Sequence, residues 1–497
     1  MGWKASPILH YLAPIVAGAL FPLGLSPFDS WLMVPLSAAL FTALLHSRGR
    51  RSGWLTGWLY GTGFFGAGAS WVYVSIHVYG SASPALAILL TVLFCGGLAL
   101  LFALQGQLYN RWFAASGWPA AALAFPALWV LFEWLRSWLL TGFPWLYAGY
   151  ASLDTPLAGW APIIGIYGNS LLLVALGSLV AAAYIAPRPR RRHLGALVGL
   201  VAVAGLAGEG LKTIDWTQPA GEALKVAIYQ PNISLEDKWN RRFLSRQLDQ
   251  YRQASAPAYP WADILLWPES ALPAYQHQVT DYLDEADKLG LATNTTLITG
   301  IPIRTSSGAH NSIIAIGLGS GVHHKQKLVP FGEYVPLAYW LRGIIDFFDL
   351  PMSNFNPGTK QPPLLLAGQY RVAPFICYEI VYPDFVTEHS RDAHFLVTVS
   401  NDSWFGDSIG PLQHLQMARF RALETGRPLL RGTNNGVSAI IDHRGDLQVS
   451  SEQFVTTLLQ GDITPRQGST PIMRSGSWPI LTLCGLVLLG FLRQTRH

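Results

Sequence analysis

Residues 374–379 read Pro374-Phe375-Ile376-Cys377-Tyr378-Glu379, an apolar run that ends on a cysteine. Such a cysteine either fills a core or serves as a nucleophile, because a strand end at a turn exposes the thiol and offers a backbone N–H to an oxyanion. Two more stretches end in the same manner. Leu265-Leu266-Trp267-Pro268-Glu269-Ser270 sets a carboxylate directly after an apolar run and a proline. Partial burial there raises a carboxylate's proton affinity and suits it to act as a base. Lys325-Gln326-Lys327-Leu328-Val329-Pro330-Phe331-Gly332-Glu333-Tyr334-Val335-Pro336 sets an ammonium ahead of a Pro-Phe-Gly turn, where it can face an oxyanion. Singly, a cysteine, glutamate and lysine so placed are more often core filler, a solvated strand-end carboxylate and a surface cation.

Around these stretches, from 223 to 465, short β-rich runs alternate with amphipathic segments. Candidate strands are 225–233, 263–268, 296–303, 311–318, 370–377, 394–400, 429–441 and 457–463. Helical spacing recurs in 241–254 (Leu244, Leu248, Tyr251), 279–289 and 412–425. Strands alternating with helices specify a layered α/β domain. Residues 212–222 and 464–474 read as tethers on either side of it.

The remainder of the chain has a different character. Of 497 residues, 51% are hydrophobic and 13% charged, against about 25% charged in soluble domains, and the mean hydropathy is +0.28. Before Lys212 the acids are only Asp29, Glu133, Asp154 and Glu209. Apolar runs approaching or reaching the span of a bilayer, about 17 to 25 residues, fall at 8–26, 30–46, 54–76, 84–109, 117–136, 162–186, 194–211 and 475–492. The expected organisation is a seven-span membrane domain (1–211), the tether 212–222, a catalytic domain (223–465) and an eighth helix (475–492). The first run lacks the small-residue cleavage site of a signal peptide.

Orientation follows from the loop cations. Lys4, the Arg48-Arg50-Arg51 cluster, Arg111, the cluster Arg188, Arg190, Arg191 and Arg192, and Arg493 with Arg496 all fall on one side, whereas loops 27–29 and 77–83 hold no Lys or Arg. The positive-inside rule then puts both termini in the cytoplasm and 212–474 outside, at the periplasmic face of a bacterial inner membrane. These clusters account for much of the net charge of +5 and are topology signals, so no nucleic-acid partner is expected. Cys95 and Cys484 lie in apolar runs, leaving Cys377 alone in the polar domain; a lone thiol in an oxidising compartment points to reactivity.

The order Glu269, Lys325, Cys377 with these flanks resembles the nitrilase, or carbon–nitrogen hydrolase, superfamily. Asn401-Asp402-Ser403-Trp404-Phe405-Gly406, Ala418-Arg419-Phe420-Arg421-Ala422-Leu423-Glu424-Thr425-Gly426-Arg427-Pro428 and Thr433-Asn434-Asn435-Gly436-Val437-Ser438 extend the resemblance. The Leu-Val-Pro-Phe-Gly-Glu-Tyr-Val-Pro run, the Cys-Tyr-Glu triplet, Glu133-Trp134-Leu135-Arg136 and Gly142-Phe143-Pro144-Trp145 make the chain similar to one branch, the apolipoprotein N-acyltransferases of Gram-negative bacteria. His323-His324 stands before Lys325 where an aromatic is commoner. The resemblance implies eight membrane spans plus an αββα sandwich, with Glu269 as base, Lys325 as electrostatic stabiliser and Cys377 as nucleophile. It further implies an oxyanion donor in the Tyr378 N–H, supporting acids in Glu333 and Glu379, and substrate placement by Trp239, Glu133, Arg136 and Trp145. The implied partners are membrane lipid, a phospholipid acyl donor such as phosphatidylethanolamine, and a diacylated apolipoprotein acceptor, with no metal or other cofactor.

Gly205 to Thr213 resembles a phosphate loop but carries an extra residue and ends an apolar run instead of following a strand. His323-His324 lacks acidic or cysteine partners at ligand spacing and reads as a surface pair. Gly57 and Gly61 have the spacing of close helix packing. Glu133 and Arg136, three apart on one helix, suit an internal ion pair or a lipid-headgroup contact. The competing functions are a membrane-anchored amidase and a transporter with an inactive nitrilase-like domain. An anchor needs one span rather than eight, and all three residues of the triad are present.

Overall fold

The computed structural model describes residues 7–49, 52–186, 190–335, 354–360 and 363–494. Lys4, Arg50, Arg51, Arg188, Pro336 and Arg496 lie outside the described residues. The chain forms two compact units, one taking in Met1–Tyr73, Ser83–Ile214 and Ser475–His497, the other Val74–Ala82 and Asp215–Arg474.

The first unit is helical. Each apolar run contains a helix: Pro7–Leu20, Met33–Arg48, Gly53–Gly68, Pro84–Trp112, Phe125–Arg136, Ala161–Ile185, Arg190–Leu211 and Trp478–Gln494. Among the described residues, Pro84–Trp112 and Pro156–Ile185 are long and apolar enough to cross a membrane; Ile8–Gly24, Val198–Leu211 and Trp478–Arg493 are apolar but shorter. Their outward faces are greasy, with Val92, Leu93, Leu206 and Leu486 each more than half exposed. Such a surface is costly in water and at ease in lipid. Gly57 and Gly61 let Gly53–Gly68 and Pro84–Trp112 touch backbone to backbone, since a Cβ on Gly61 would stand 2.8 Å from Ala99 Cα. The run 54–76 does not continue as a single helix: Gly53–Gly68 ends and Val74–Ala82 joins the other unit. The Gly205 segment is helical through Leu211, with no loop to wrap a phosphate.

The second unit holds two sheets. One has the order β14-β2-β3-β4-β5-β7, with β2 Leu224–Gln230, β3 Ile264–Leu266, β4 Thr296–Thr305, β5 Gly308–Gly317, β7 Val322–His324 and β14 Thr457–Ile463. The other runs β13-β12-β11-β10-β9-β8-β6, with β6 Gly319–Ser320, β8 Leu365–Ala367, β9 Tyr370–Ile376, β10 Phe395–Ser400, β11 Leu429–Thr433, β12 Ala439–Ile441 and β13 Leu447–Ser450. A small ribbon pairs β1 Gln218–Pro219 with β15 Arg466–Gln467, so the 212–222 tether is stitched to the far end of the domain. The centres of both sheets are parallel, β2-β3-β4 and β9-β10-β11.

Period-two alternation builds the layers. Leu266, Ile298, Ile376, Val397, Val399 and Leu430, all fully buried, form one core shared by the two sheets. Their odd-numbered neighbours Leu265, Trp267 and Leu297 face Tyr251 and Leu283 of helices Leu244–Ser255 and Thr280–Thr293. On the other sheet lie Pro383–His389 and Gly410–Thr425. Each fully buried leucine or isoleucine in the shared core contributes about 2 to 3 kcal/mol. The stretch 429–441 is two strands, because Asn434-Asn435-Gly436 turns the chain and pairs Leu429 antiparallel with Ile441. Gly436 is required there by close approach, since a Cβ on it would stand 2.8 Å from Asp402 Cβ.

Candidate active site

The parallel strands deliver their chemistry at their carboxyl ends, where layered α/β folds bind ligands. Past β3, Glu269 is 8% exposed. Its Oε1 accepts from Asn311 Nδ2 at 2.7 Å and lies 3.4 Å from Lys325 Nζ, while Oε2 accepts from the Asn401 N–H at 2.8 Å. Lys325, just after β7 and 1% exposed, places Nζ 2.8 Å from Glu333 Oε2. Asn311 also donates to Glu333 Oε1 at 2.8 Å, so one amide bridges the two carboxylates around the ammonium. Desolvation alone would lower the Lys325 pKa, but Glu333, then Glu269 and Cys377, outweigh it and hold the ammonium charged.

Cys377 follows β9 with φ +50°, a left-handed conformation that non-glycine residues adopt only under constraint. Its side chain is half-buried. Burial first, then the charge of Glu269, push its thiol up to about 12 against the opposing pull of Lys325. The resting sulfur is therefore a neutral thiol, and nucleophilic attack requires a base to take its proton.

Glu379 is fully buried and bonds away from the thiol. It accepts from the Ile376 N–H at 2.8 Å, the Gln326 N–H at 2.6 Å and His323 Nε2 at 2.9 Å. It thus ties the cysteine turn to the segment after Lys325. His323 is fully buried, not a surface residue: alternation along β7 turns it inward and His324 toward Ser312. Tyr378 is buried with its ring edge-on to Tyr382 at 5.2 Å.

Trp239 is half-buried, and its neighbour Lys238 makes the inward contact, donating from Nζ to the Glu269 carbonyl at 2.8 Å. Burial lowers Lys238 to about 8 despite the nearby Glu269. The segment Val74–Ala82 belongs here too: Ser75 Oγ donates to the Trp404 carbonyl at 2.7 Å, and the Tyr79 and Trp404 rings lie 6.0 Å apart.

Glu133, Arg136 and Trp145 lie together in the helical unit, all buried. Glu133 Oε1 accepts from Trp129 Nε1 at 2.9 Å and the Ala148 N–H at 2.8 Å. Arg136 donates to the Leu146 carbonyl at 3.3 Å and lies over Phe64, Phe65 and Tyr147. No salt bridge within 4.0 Å joins them, although each feels the other's charge, and Glu133 Oε2 and Arg136 Nε are buried without a hydrogen-bond partner. Trp145 stacks on Phe143 with centroids 6.0 Å apart.

Lys238, Asn311, Asn401, Asp402, His414 and Arg431 are site neighbours that sequence reasoning did not single out. Asn401 and Asp402 had a signal, the Asn-Asp-Ser-Trp-Phe-Gly run after a strand; Asn311, His414 and Arg431 sit inside elements that read as ordinary core, and Lys238 falls between candidate elements, beside Trp239.

A buried carboxylate, an ammonium and a thiol at the edge of two facing sheets define an enzyme of the carbon–nitrogen hydrolase type, here joined to a membrane-associated helical unit. Residues 225–471 match the family model "Carbon-nitrogen hydrolase", and residues 17–179 match "Apolipoprotein N-acyltransferase N-terminal domain". A Pseudomonas aeruginosa apolipoprotein N-acyltransferase is 47% identical, covering 100% of this chain and 97% of its own. The Coxiella burnetii enzyme of that name is 40% identical over 97% of this chain and 99% of its own. A solved CN-hydrolase superfamily protein from Xanthomonas campestris covers 53% of this chain and 97% of its own at 15% identity, with a TM-score of 0.38. The chain belongs to the apolipoprotein N-acyltransferase family.

Proposed function

We propose that the enzyme moves an acyl chain from a phospholipid to the N-terminal amine of a diacylglyceryl-cysteine apolipoprotein through a thioester on Cys377. Glu269 takes the thiol proton, and the sulfur attacks the ester carbonyl carbon. Lys325 and the Tyr378 N–H stabilise the oxyanion, the ester C–O bond breaks, and the lysophospholipid oxygen leaves with the proton held by Glu269. The apolipoprotein amine then attacks the thioester carbonyl, gives its proton to Glu269, and the C–S bond breaks as the thiol is re-protonated. Glu333 and Glu379 hold the ammonium and the cysteine turn; Trp239, Glu133, Arg136 and Trp145 place substrate.

The observation carrying this reading is the single buried network of Glu269, Asn311, Lys325 and Glu333, whose charges act on a protonated thiol. It supplies base and oxyanion charge together. Eight membrane spans, both termini in the cytoplasm and a periplasmic catalytic domain of a bacterial inner membrane complete the proposal. They rest on the apolar runs and on the loop cations. The acyl donor is expected to be phosphatidylethanolamine.

Intact mass of purified protein with and without phosphatidylethanolamine tests the first half-reaction. One acyl adduct is expected, lost in Cys377→Ala and kept when Cys95 and Cys484 are both replaced by Ala. An adduct surviving in Cys377→Ala would remove the nucleophile.

A further inference from the structure

Behind Cys377 lies a second buried polar cluster that the proposed chemistry does not use. His414, on helix Gly410–Thr425, has Nε2 3.2 Å from the Cys377 carbonyl oxygen. Its Nδ1 lies 3.2 Å from Arg431 Nη2 and 3.3 Å from Asp402 Oδ1. Arg431, on β11, donates to Asp402 Oδ2 at 2.7 Å, and Ser400 Oγ donates to Asp402 Oδ1 at 2.5 Å. His414, Asp402, Arg431 and Ser400 are all essentially unexposed.

The Cys377 carbonyl oxygen only accepts, so Nε2 carries the proton, while Nδ1 faces both the Arg431 donor and the Asp402 acceptor. Burial, then the Arg431 charge, lowers the His414 pKa, which keeps the ring neutral. Asp402 stays ionised: burial would raise its carboxyl, but Arg431 and His414 hold it at about 2.

The Cys377 C=O and the Tyr378 N–H belong to one planar trans peptide, so they point in opposite directions. A donor that grips the carbonyl from one side therefore sets the direction of the N–H on the other. The grip falls on a residue at φ +50°, a sparsely populated conformation for a non-glycine residue that its surroundings must hold. We infer that His414, oriented by Arg431 and Asp402, is a positioning residue that aims the Tyr378 N–H at the oxyanion by holding the Cys377 peptide plane. The inference rests on the reading of Cys377 as the nucleophile.

The test compares two reactions of Cys377 in the full-length protein in detergent. Acylation by a p-nitrophenyl ester of a medium-chain fatty acid passes through an oxyanion; alkylation by iodoacetamide does not. His414→Leu should slow the p-nitrophenolate burst at saturating ester by about 10- to 100-fold, on the scale of a misaimed oxyanion donor. Half-saturation and the alkylation rate should stay within about twofold of wild type on the same scale. His414→Gln, whose amide nitrogen can reach the same carbonyl, should recover most of the burst rate, and His414→Asn, one carbon shorter, should not. If His414→Leu does not fold, the Gln-to-Asn comparison carries the test. An unchanged burst in His414→Leu, an equal fall in burst and alkylation, or Asn performing as well as Gln overturns the inference. Wild-type protein given phosphatidylethanolamine instead of the ester is a separate arm. No adduct there beside a normal ester burst would refute the proposed donor alone and leave the His414 comparison standing.

Discussion

Lys325→Met removes the one cation from a network holding two carboxylates. At an effective dielectric of about 20, charges 2.8 and 3.4 Å apart attract by about 6 and about 5 kcal/mol. Desolvation of a fully buried ammonium cancels several kcal/mol of that, so breaking the network costs about 3 to 5 kcal/mol. In a domain of this size each kcal/mol shifts Tm by about 2 to 4 °C, which amounts to a fall of roughly 10 °C. The loss arises because Glu269 and Glu333 are left sharing Asn311 without the ammonium that stood between them. The double variant Lys325→Met/Glu333→Gln removes one stranded carboxylate and should recover at least about half of the lost stability, by the logic of a double-mutant cycle. Rate behaves differently. Both variants lose the oxyanion charge, so both should form the acyl-enzyme about 10²- to 10³-fold more slowly than wild type. Thermal melts in detergent and timed intact mass separate the two effects. A Lys325→Met protein as stable as wild type, or a double variant that acylates normally, would refute the reasoning.

Glu269→Gln should block thioester formation, whereas Trp239→Ala should acylate and then transfer poorly to a diacylated lipopeptide. Normal acylation by Glu269→Gln would show that another group takes the thiol proton. Asp402, held at about 2 against an ordinary 3.8, contributes stability that is present above pH 3.8 and disappears as pH falls toward 2. The stability gap between wild type and Asp402→Asn should therefore narrow by about 2 kcal/mol between pH 5 and pH 2 in acid-titrated melts. A gap that stays constant would mean Arg431 does not hold that carboxylate. For topology, Arg190→Cys should react with an impermeant thiol reagent only from the cytoplasm and Asp281→Cys only from the periplasm; labelling of Asp281→Cys from the cytoplasm would invert the orientation.

Local pattern carried a great deal of this protein. The apolar runs became helices because hydrophobic length and helical propensity are properties of a continuous segment, readable without knowing the partner. Most strands followed from short β-rich runs, and Glu269, Lys325 and Cys377 stood out because each ends or follows a strand with characteristic flanks. Tertiary structure decided the rest. Whether 429–441 is one strand or two depends on the Asn434–Gly436 turn and on the pairing of Leu429 with Ile441. His323 reads as polar surface until β7 turns it toward Glu379, 56 residues away. Glu133 and Arg136 have ion-pair spacing, yet each takes partners from other parts of its unit. Asn311, Lys238 and His414 carry no mark of their role, because a buried polar side chain is defined by the donor or acceptor it meets. Those partners lie 42, 31 and 37 residues distant. Hydrophobic periodicity is written along the chain, but hydrogen bonds across a core exist only once two sheets have closed on each other.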